Sequence, residues 1–262
     1  MKLELLRKFL PLNSITLALG LLATTASSQA AFVDWENGIW DHGSGPVVGY
    51  QSGQTTGVSD IGGGVIATVS LTRFGTAAGI PGEDLTVSTV LSGMFAAKSL
   101  RIQQQSDSSA TASMDNYASL KITFSSPVSF PQFTIFDVDT ADNVTGWDDH
   151  VKVSAETSGV FNTVGFALGA TNQLSVGYPS AIPNIGSVEG NAPSVNGSGT
   201  GNVGVTINGT FTSLSILYAS STGLAGRPHG ISISPLIPEP SSAALAALGM
   251  GLLLRRSRRK LA

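Results

Sequence analysis

The sequence predicts an all-β body, an antiparallel β-sandwich of jelly-roll type, between an N-terminal signal peptide and a short C-terminal transmembrane helix. About ten short runs of alternating apolar and polar residues predict the strands, and turn residues separate them. The composition agrees, because Gly, Ser and Thr are abundant while Lys and Glu are scarce, which disfavours helix. We therefore divide the chain into a signal peptide (1–30), a β-sandwich domain (31–237) and a C-terminal segment (238–262).

The strand pattern is clearest in the middle of the chain. Val65 to Thr72 and Leu120 to Ser125 alternate strictly, so each predicts a strand with one face in the core. Phe133 to Val138 is apolar on both faces and predicts a central strand. Further strands are predicted at Leu85 to Val90, Lys98 to Gln103, Val151 to Glu156, Val160 to Leu168 and Gly230 to Ser234.

Three connections carry their own predictions. Ser158-Gly159 predicts a turn, and Asn208-Gly209, between the runs Val203 to Ile207 and Phe211 to Tyr218, predicts a β-hairpin. Gly169 to Gly201 is rich in Gly, Asn, Pro and Ser with little periodicity. It predicts a long connection that is either functional or mobile.

The N-terminus has the three parts of a secretory signal. Lys2, Arg7 and Lys8 precede an apolar core from Ile15 to Ala23, and Ser28-Gln29-Ala30 supplies small residues at −3 and −1. We predict export through the Sec translocon and cleavage by signal peptidase after Ala30. An uncleaved anchor is the alternative, but the apolar core is too short to span a bilayer.

The C-terminus reads as a membrane stop. Pro238, Glu239 and Pro240 predict an extended, exposed segment, and the uncharged run 241–254 predicts a helix of about 21 Å, shorter than a bilayer core. The positive charges that follow favour the cytoplasmic side and place the body outside. They are Arg255, Arg256, Arg258, Arg259 and Lys260. The alternative is a buried C-terminal helix with a solvated basic end.

This order of Pro-Glu-Pro, short apolar helix and arginine cluster resembles the PEP-CTERM sorting signal of Gram-negative bacteria. The resemblance covers about 25 residues and implies recognition by an exosortase-type processing enzyme. It further implies an inner-membrane-anchored precursor that ends in the cell envelope or extracellular matrix, with exopolysaccharide as a partner. The resemblance does not indicate what the body does.

The body is anionic and has no cysteine. Of the 17 acidic residues, Glu4 and Glu239 lie outside 31–237, and only six of the 14 basic residues lie inside it. The net charge of about −9 argues against nucleic acid as a partner. Without cysteine, an exported domain depends on its core or on bound ions.

A cluster of aspartates is the one candidate metal site. Asp137, Asp139, Asp142, Asp148 and Asp149 follow one predicted strand and precede the next. If these strands are neighbours, the carboxylates form one rim, where Ca²⁺ would relieve their repulsion. The spacing does not fit an EF-hand, because Asp142 stands where glycine is required. The alternative is a solvated acidic turn whose side chains cap their own backbone.

The same region resembles, in part, cores found ahead of PEP-CTERM tails. The matching segments are Ile122 to Phe124, Phe136 to Asp139 (Phe-Asp-Val-Asp) and Trp147 to Val153 (Trp-Asp-Asp-His-Val-Lys-Val). The resemblance implies an architecture and no reaction. No enzyme is predicted, because His42, His150 and His229 are isolated and neither H-E-x-x-H nor G-x-S-x-G occurs.

Three classes of function follow. The first is a structural protein of the cell surface or of an exopolysaccharide matrix. The second is a calcium-stabilised carbohydrate-binding module, in which Trp35, Trp40, Tyr50 and Trp147 form a platform for sugar rings; the same side chains would equally suit the core. The third is an ice-binding or hydrolytic cargo, although no regular Thr-x-Thr ladder favours ice.

Overall fold

The computed structural model describes residues 33–51, 53–74, 86–88, 99–105, 117–130, 132–140, 148–175, 186–194, 198–220 and 228–236. All of them lie in Ala31–Glu239, one of two compact units into which the chain divides. The expectations for the signal peptide, with cleavage at Ala30, and for the segment 238–262 concern residues outside these ranges.

The described part of the chain contains sixteen β-strands and no helix. The strands are β1 (Ile39–Asp41), β2 (Pro46–Val48), β3 (Thr56–Asp60), β4 (Ile66–Arg73), β5 (Thr86–Ser88), β6 (Ser99–Gln105), β7 (Tyr117–Val128), β8 (Gln132–Phe136), β9 (Asp149–Thr157), β10 (Val160–Phe161), β11 (Val164–Ala167), β12 (Asn172–Leu174), β13 (Gly186–Gly190), β14 (Val203–Ile207), β15 (Phe211–Ser220) and β16 (Pro228–Ile233). They form two sheets, and every pairing is antiparallel.

Sheet I has ten strands and sheet II has six. The order in sheet I is β12-β13-β9-β15-β7-β4-β3-β1-β2, with β10 paired to β9, and the order in sheet II is β11-β14-β8-β16-β6-β5. Both sheets send alternate side chains into one hydrophobic core, to which β7 contributes Ile122 and β8 contributes Ile135. The arrangement is sandwich-like, so the prediction of an antiparallel all-β body is confirmed.

The strictly alternating runs form strands with one buried face. In β4 and β7 the residues predicted to face the core, such as Val69 and Leu120, are buried, while Thr68 and Lys121 are exposed. The doubly apolar run gives β8, which lies between β14 and β16 inside sheet II, as expected of a central strand. Period-two patterning therefore located these elements and oriented them.

The predicted hairpin at Asn208-Gly209 is wrong. β14 pairs with β11 and β8 in sheet II, whereas β15 pairs with β7 and β9 in sheet I. A type I′ hairpin turn needs positive φ at both central residues, and here only Gly209 has it, at 88°. The Asn162 amide donates to the carbonyl oxygens of Asn208 at 2.7 Å and Thr210 at 3.2 Å, which holds an arch between the two sheets.

Two other connections also differ from expectation. The run Val160 to Leu168 is split between β10, which pairs with β9 across Ser158 (φ 52°) and Gly159 (φ 81°), and β11, which belongs to sheet II. The predicted long connection Gly169 to Gly201 contains β12 and β13, which extend sheet I. These strands are short and rich in small or polar residues, so they lack a period-two signal.

Candidate functional site

The acidic segment forms one connected region. After β8 the chain runs beside the start of β9, where Thr140 and Asp148 form an isolated antiparallel bridge. The backbone N–H of Asp149 donates to the carbonyl of Asp139 at 3.0 Å. The structure therefore brings Asp139, Asp148 and Asp149 together, although β8 and β9 belong to different sheets. Asp142 lies outside the described residues.

Two of these carboxylates are buried and accept hydrogen bonds from different elements. Asp139 and Asp149 are 4% and 1% exposed. Asp149 Oδ1 accepts from the Tyr218 hydroxyl at 2.7 Å, and its Oδ2 accepts from the backbone N–H of Asp139 at 3.4 Å. Asp139 Oδ2 accepts from the backbone N–H of Ser194 at 2.8 Å. The two side chains thus tie the loop after β8 to β15 and to the segment after β13.

Burial and the same carboxylates together raise the pKa of the Tyr218 phenol. Burial, followed by the charge of Asp149, raises the pKa of Tyr218 well above its ordinary value, and the hydrogen bond to Asp149 adds to this effect. The charges of Asp139 and Asp137 act in the same direction. Tyr218 therefore remains a neutral donor to Asp149 through the physiological pH range.

Glycines allow the neighbouring loops to approach the acidic segment closely. A Cβ at Gly190 would lie 2.1 Å from the backbone carbonyl carbon of Asp139, so no other residue fits there without a backbone shift. The backbone N–H of Val138 donates to the carbonyl of Gly201 at 2.9 Å, and the Asn172 amide donates to the carbonyl of Val138 at 3.0 Å. Part of the predicted long connection therefore has a structural role.

Calcium at this segment stays a prediction. Ca²⁺ takes six to eight oxygen ligands around one point. Among the described residues, no group of three or more His, Cys, Asp or Glu side chains is arranged to hold a metal ion. Asp148 Oδ2 instead lies 3.1 Å from Nε2 of His150, whose Nδ1 lies 3.4 Å from a Glu189 carboxylate oxygen. Asp137, at φ 65°, is partly exposed.

The predicted sugar-stacking platform is corrected for three of its four residues. Trp35 and Trp40 are fully buried and Tyr50 is nearly so. The indoles stack with ring centroids 5.8 Å apart, and Tyr50 packs edge-on against Trp40 at 5.3 Å. Trp35 Nε1–H donates to the carbonyl of Ser234 at 3.0 Å. Rings enclosed in this way offer no face to a sugar. Trp147 lies outside the described residues.

Two rows of mainly hydroxyl side chains cross the outward face of the central strands of sheet I. Strand register places two rows across β4, β7, β15 and β9, the first of which continues onto β13. The first, which we call the Thr72 row, is Thr72, Ser119, Leu217, Lys152 and Ser187. The second, the Ser70 row, is Ser70, Lys121, Ser215 and Ser154. Because their neighbours along each strand are buried, these side chains point away from the core.

An aromatic pair stands beside the Thr72 row on the same face. The rings of Phe74 and Tyr117 stack with centroids 4.5 Å apart and planes 21° apart, and Phe74 is 39% exposed. The backbone N–H of Phe74 donates to the carbonyl of Tyr117 at 2.9 Å. Sequence analysis missed both residues. The available signal was their two-residue spacing from Thr72 and Ser119, which assigns them to the outward face.

Two of the three histidines have described side chains, and these lie in different environments. That the chain is not an enzyme stays a prediction. His42 packs edge-on against Tyr50 at 5.4 Å, and its Nδ1 lies 2.8 Å from the carbonyl oxygen of Thr56. His150 lies between two carboxylates on the outward face. The side chain of His229 lies outside the part of the chain that the structure describes.

Within the described residues, no helix has the length and apolar character needed to cross a membrane. The predicted helix 241–254 lies outside them. Comparison with protein-family models, curated proteins and solved structures finds no match to this chain.

Proposed function

We propose that this chain is an exported structural protein of the cell surface or extracellular matrix. The observation that supports this most is the body itself, in which both sheets share one hydrophobic core and the chain has no cysteine. Its buried carboxylates tie the loop after β8 to β15 and to the segment after β13. Such a domain keeps its shape outside the cell independently of the redox conditions there.

The proposed route follows from the two ends of the chain. The signal peptide directs the body through the Sec translocon, and the basic cluster after 241–254 retains the end of the chain on the cytoplasmic side. Processing at Pro238-Glu239-Pro240 by an exosortase-type enzyme then releases the body from its membrane-anchored precursor. The product resides in the envelope or in an exopolysaccharide matrix.

Reporter fusions test this route. A reporter that is active only outside the cytoplasm, fused after Ile237, is expected to be active, and deletion of Ile15 to Ala23 should abolish that activity. Fusion at this point keeps Leu236 and its pairing with Val33. Activity of a cytoplasm-specific reporter at the same position, with mature protein that retains both ends, would contradict the proposal. Replacing Pro238 and Pro240 by alanine should leave the precursor in the membrane fraction.

We also propose that the sandwich is of jelly-roll type. Strand order supports this, because β6, β7, β8, β9, β11, β13, β14, β15 and β16 alternate between sheets II and I. In addition, β15 returns to lie between β7 and β9, as the last strand of a Greek key lies beside the first.

Calcium is a second proposal for the acidic segment. The observation that favours it is the meeting of Asp139, Asp148 and Asp149 at one place. If Ca²⁺ is bound there, a chelator should lower the Tm of the purified full-length chain and added calcium should restore it. The same titration on an Asp148→Asn variant should show a smaller shift. A Tm that neither treatment changes would mean that the carboxylates act only as ties within the protein.

A further inference from the structure

We propose that the outward face of sheet I binds an acidic polysaccharide, which lies across the strands along the Thr72 and Ser70 rows. The Phe74–Tyr117 pair borders this site. The inference rests on the described surface alone and does not depend on the route of export or on calcium. It differs from the carbohydrate-binding module expected from sequence in both its site and the charge of its ligand.

The charge distribution of this face favours an anionic ligand. The body carries a net charge of about −9 with only six basic residues, and two of these, Lys121 and Lys152, project from the middle of this face. Lys121 is exposed, and no ion pair among the described residues involves its ammonium group, whereas Lys152 is half-buried and has an interaction partner within the protein. Glu156 on β9 lies beyond the two rows, whereas Glu189 on β13 pairs across the strands with His150 and is the diagonal neighbour of Lys152, so the positive charge is least compensated at Lys121. A polyanion is therefore attracted to the centre of the face and repelled by the rest of the body.

The side chains of the two rows offer the hydrogen-bonding groups that a sugar polymer needs. Six of their nine side chains supply hydroxyls, two are lysines and one is Leu217; the hydroxyl residues are Ser70, Thr72, Ser119, Ser154, Ser187 and Ser215. Hydroxyls both donate and accept, as sugar hydroxyls do, and lysines donate to carboxylates. Leu217 is only partly buried and gives the strip an apolar floor. The exposed side of Phe74 adds a ring surface of the kind that packs on the apolar face of a sugar.

Dimensions favour a single extended glycan over a protein partner. The Thr72 row spans five strands, and at the usual inter-strand spacing it is about 19 Å long. The two rows are separated by two residues along each strand, or about 7 Å. A strip of this size is far below the roughly 800 Å² that each partner buries in a stable protein interface. It suits one polymer strand held by several weak contacts.

Binding of polygalacturonate to the purified full-length chain tests the proposal. At low ionic strength the chain should bind polygalacturonate and not neutral dextran, and added salt should weaken the binding. The double variant Lys121→Glu, Lys152→Glu should lose at least about tenfold in affinity, since it reverses both central charges. Lys121→Arg, Lys152→Arg should bind like the parent. Phe74→Ala should weaken binding without changing its salt dependence.

Two controls separate binding from folding and from general charge effects. Thr206→Glu adds a negative charge at an exposed position on the outward face of sheet II and should leave the affinity unchanged. Urea midpoints of all variants should match the parent. The proposal is overturned if the parent does not bind polygalacturonate, if the Lys→Glu double variant binds as well as the parent, or if single-stranded DNA binds equally well.

Discussion

Trp35→Ala is expected to lower the free energy of unfolding by about 3–5 kcal/mol, the range typical of a fully buried Trp replaced by Ala. The side chain has no exposed surface, stacks on Trp40 and packs edge-on against Tyr50 at 6.5 Å. Its Nε1–H also satisfies the carbonyl of Ser234, which lies just beyond β16. The substitution therefore opens a cavity and leaves a buried acceptor without its donor.

Urea unfolding of the purified full-length chain measures this effect. Trp35→Phe keeps much of the ring volume but has no N–H group, so its loss should fall between zero and that of the alanine variant. Val48→Ala, at a position 71% exposed on β2, should change stability by no more than about 0.5 kcal/mol. If Trp35→Ala also changes stability by no more than about 0.5 kcal/mol, the cluster of Trp35, Trp40 and Tyr50 does not contribute to the core as its burial implies.

Asp149→Ala is the second large expected effect, at about 3 kcal/mol. The buried carboxylate accepts from the Tyr218 hydroxyl and from the Asp139 N–H, and each orphaned buried donor costs about 1–3 kcal/mol. Tyr218→Phe removes only one of these bonds and should cost less. Asp60→Ala, at an exposed position on β3, is the control: it removes only a solvent-exposed hydrogen bond from the Gly62 N–H (2.9 Å) and should cost much less, about 0.5 kcal/mol. Equal stability of the Asp149 and Asp60 variants would contradict a tying role for Asp149.

Asp149→Ala, Tyr218→Phe and the double variant that combines them should also show whether the two side chains are energetically coupled. If the hydroxyl and the carboxylate act on each other, the double variant should lose less than the sum of the singles, by about 0.5–3 kcal/mol. Additive losses would mean that the 2.7 Å hydrogen bond contributes little beyond packing.

Alkaline pH provides an independent readout of the same contact. Because the folded-state pKa of Tyr218 is raised, the native chain keeps this proton above about pH 10, whereas the unfolded chain loses it. The unfolded state then binds fewer protons, so this contribution to stability is complete below about pH 10 and is lost as the pH rises, by up to about 1.4 kcal/mol per pH unit. Tyr218→Phe should remove this part of the decline. Parallel pH profiles for the parent and the variant would refute the assignment.

The sequence predicted strands correctly where buried and exposed positions alternate along the chain. The alternation of Leu120, Ile122 and Phe124 with polar neighbours identified β7 and its buried face, because a half-buried strand leaves that signature in any fold. It failed at Asn208-Gly209, where local turn preference does not reveal whether the flanking strands pair or cross between sheets. Core packing across the two sheets decided that connection.

The candidate site was predictable only in part, because contacts between distant parts of the chain leave no local pattern in the sequence. The five aspartates predicted a meeting of carboxylates only if the flanking strands were neighbours; Asp139, Asp148 and Asp149 do meet, although β8 and β9 belong to different sheets. The partners Tyr218 and Ser194 were not predictable, because they come from distant parts of the chain. Composition could not distinguish a sugar platform from a core at Trp35, because an indole suits both environments. Likewise, no local pattern indicates that five strands align their outward hydroxyls into rows, since register is a property of the assembled sheet.

The bridge between Val33 and Leu236 has a mechanical consequence. The two residues exchange reciprocal backbone hydrogen bonds, each 3.1 Å long, so both extremities of the folded body emerge side by side. Tension applied between those extremities would load this one pair first and peel it open bond by bond.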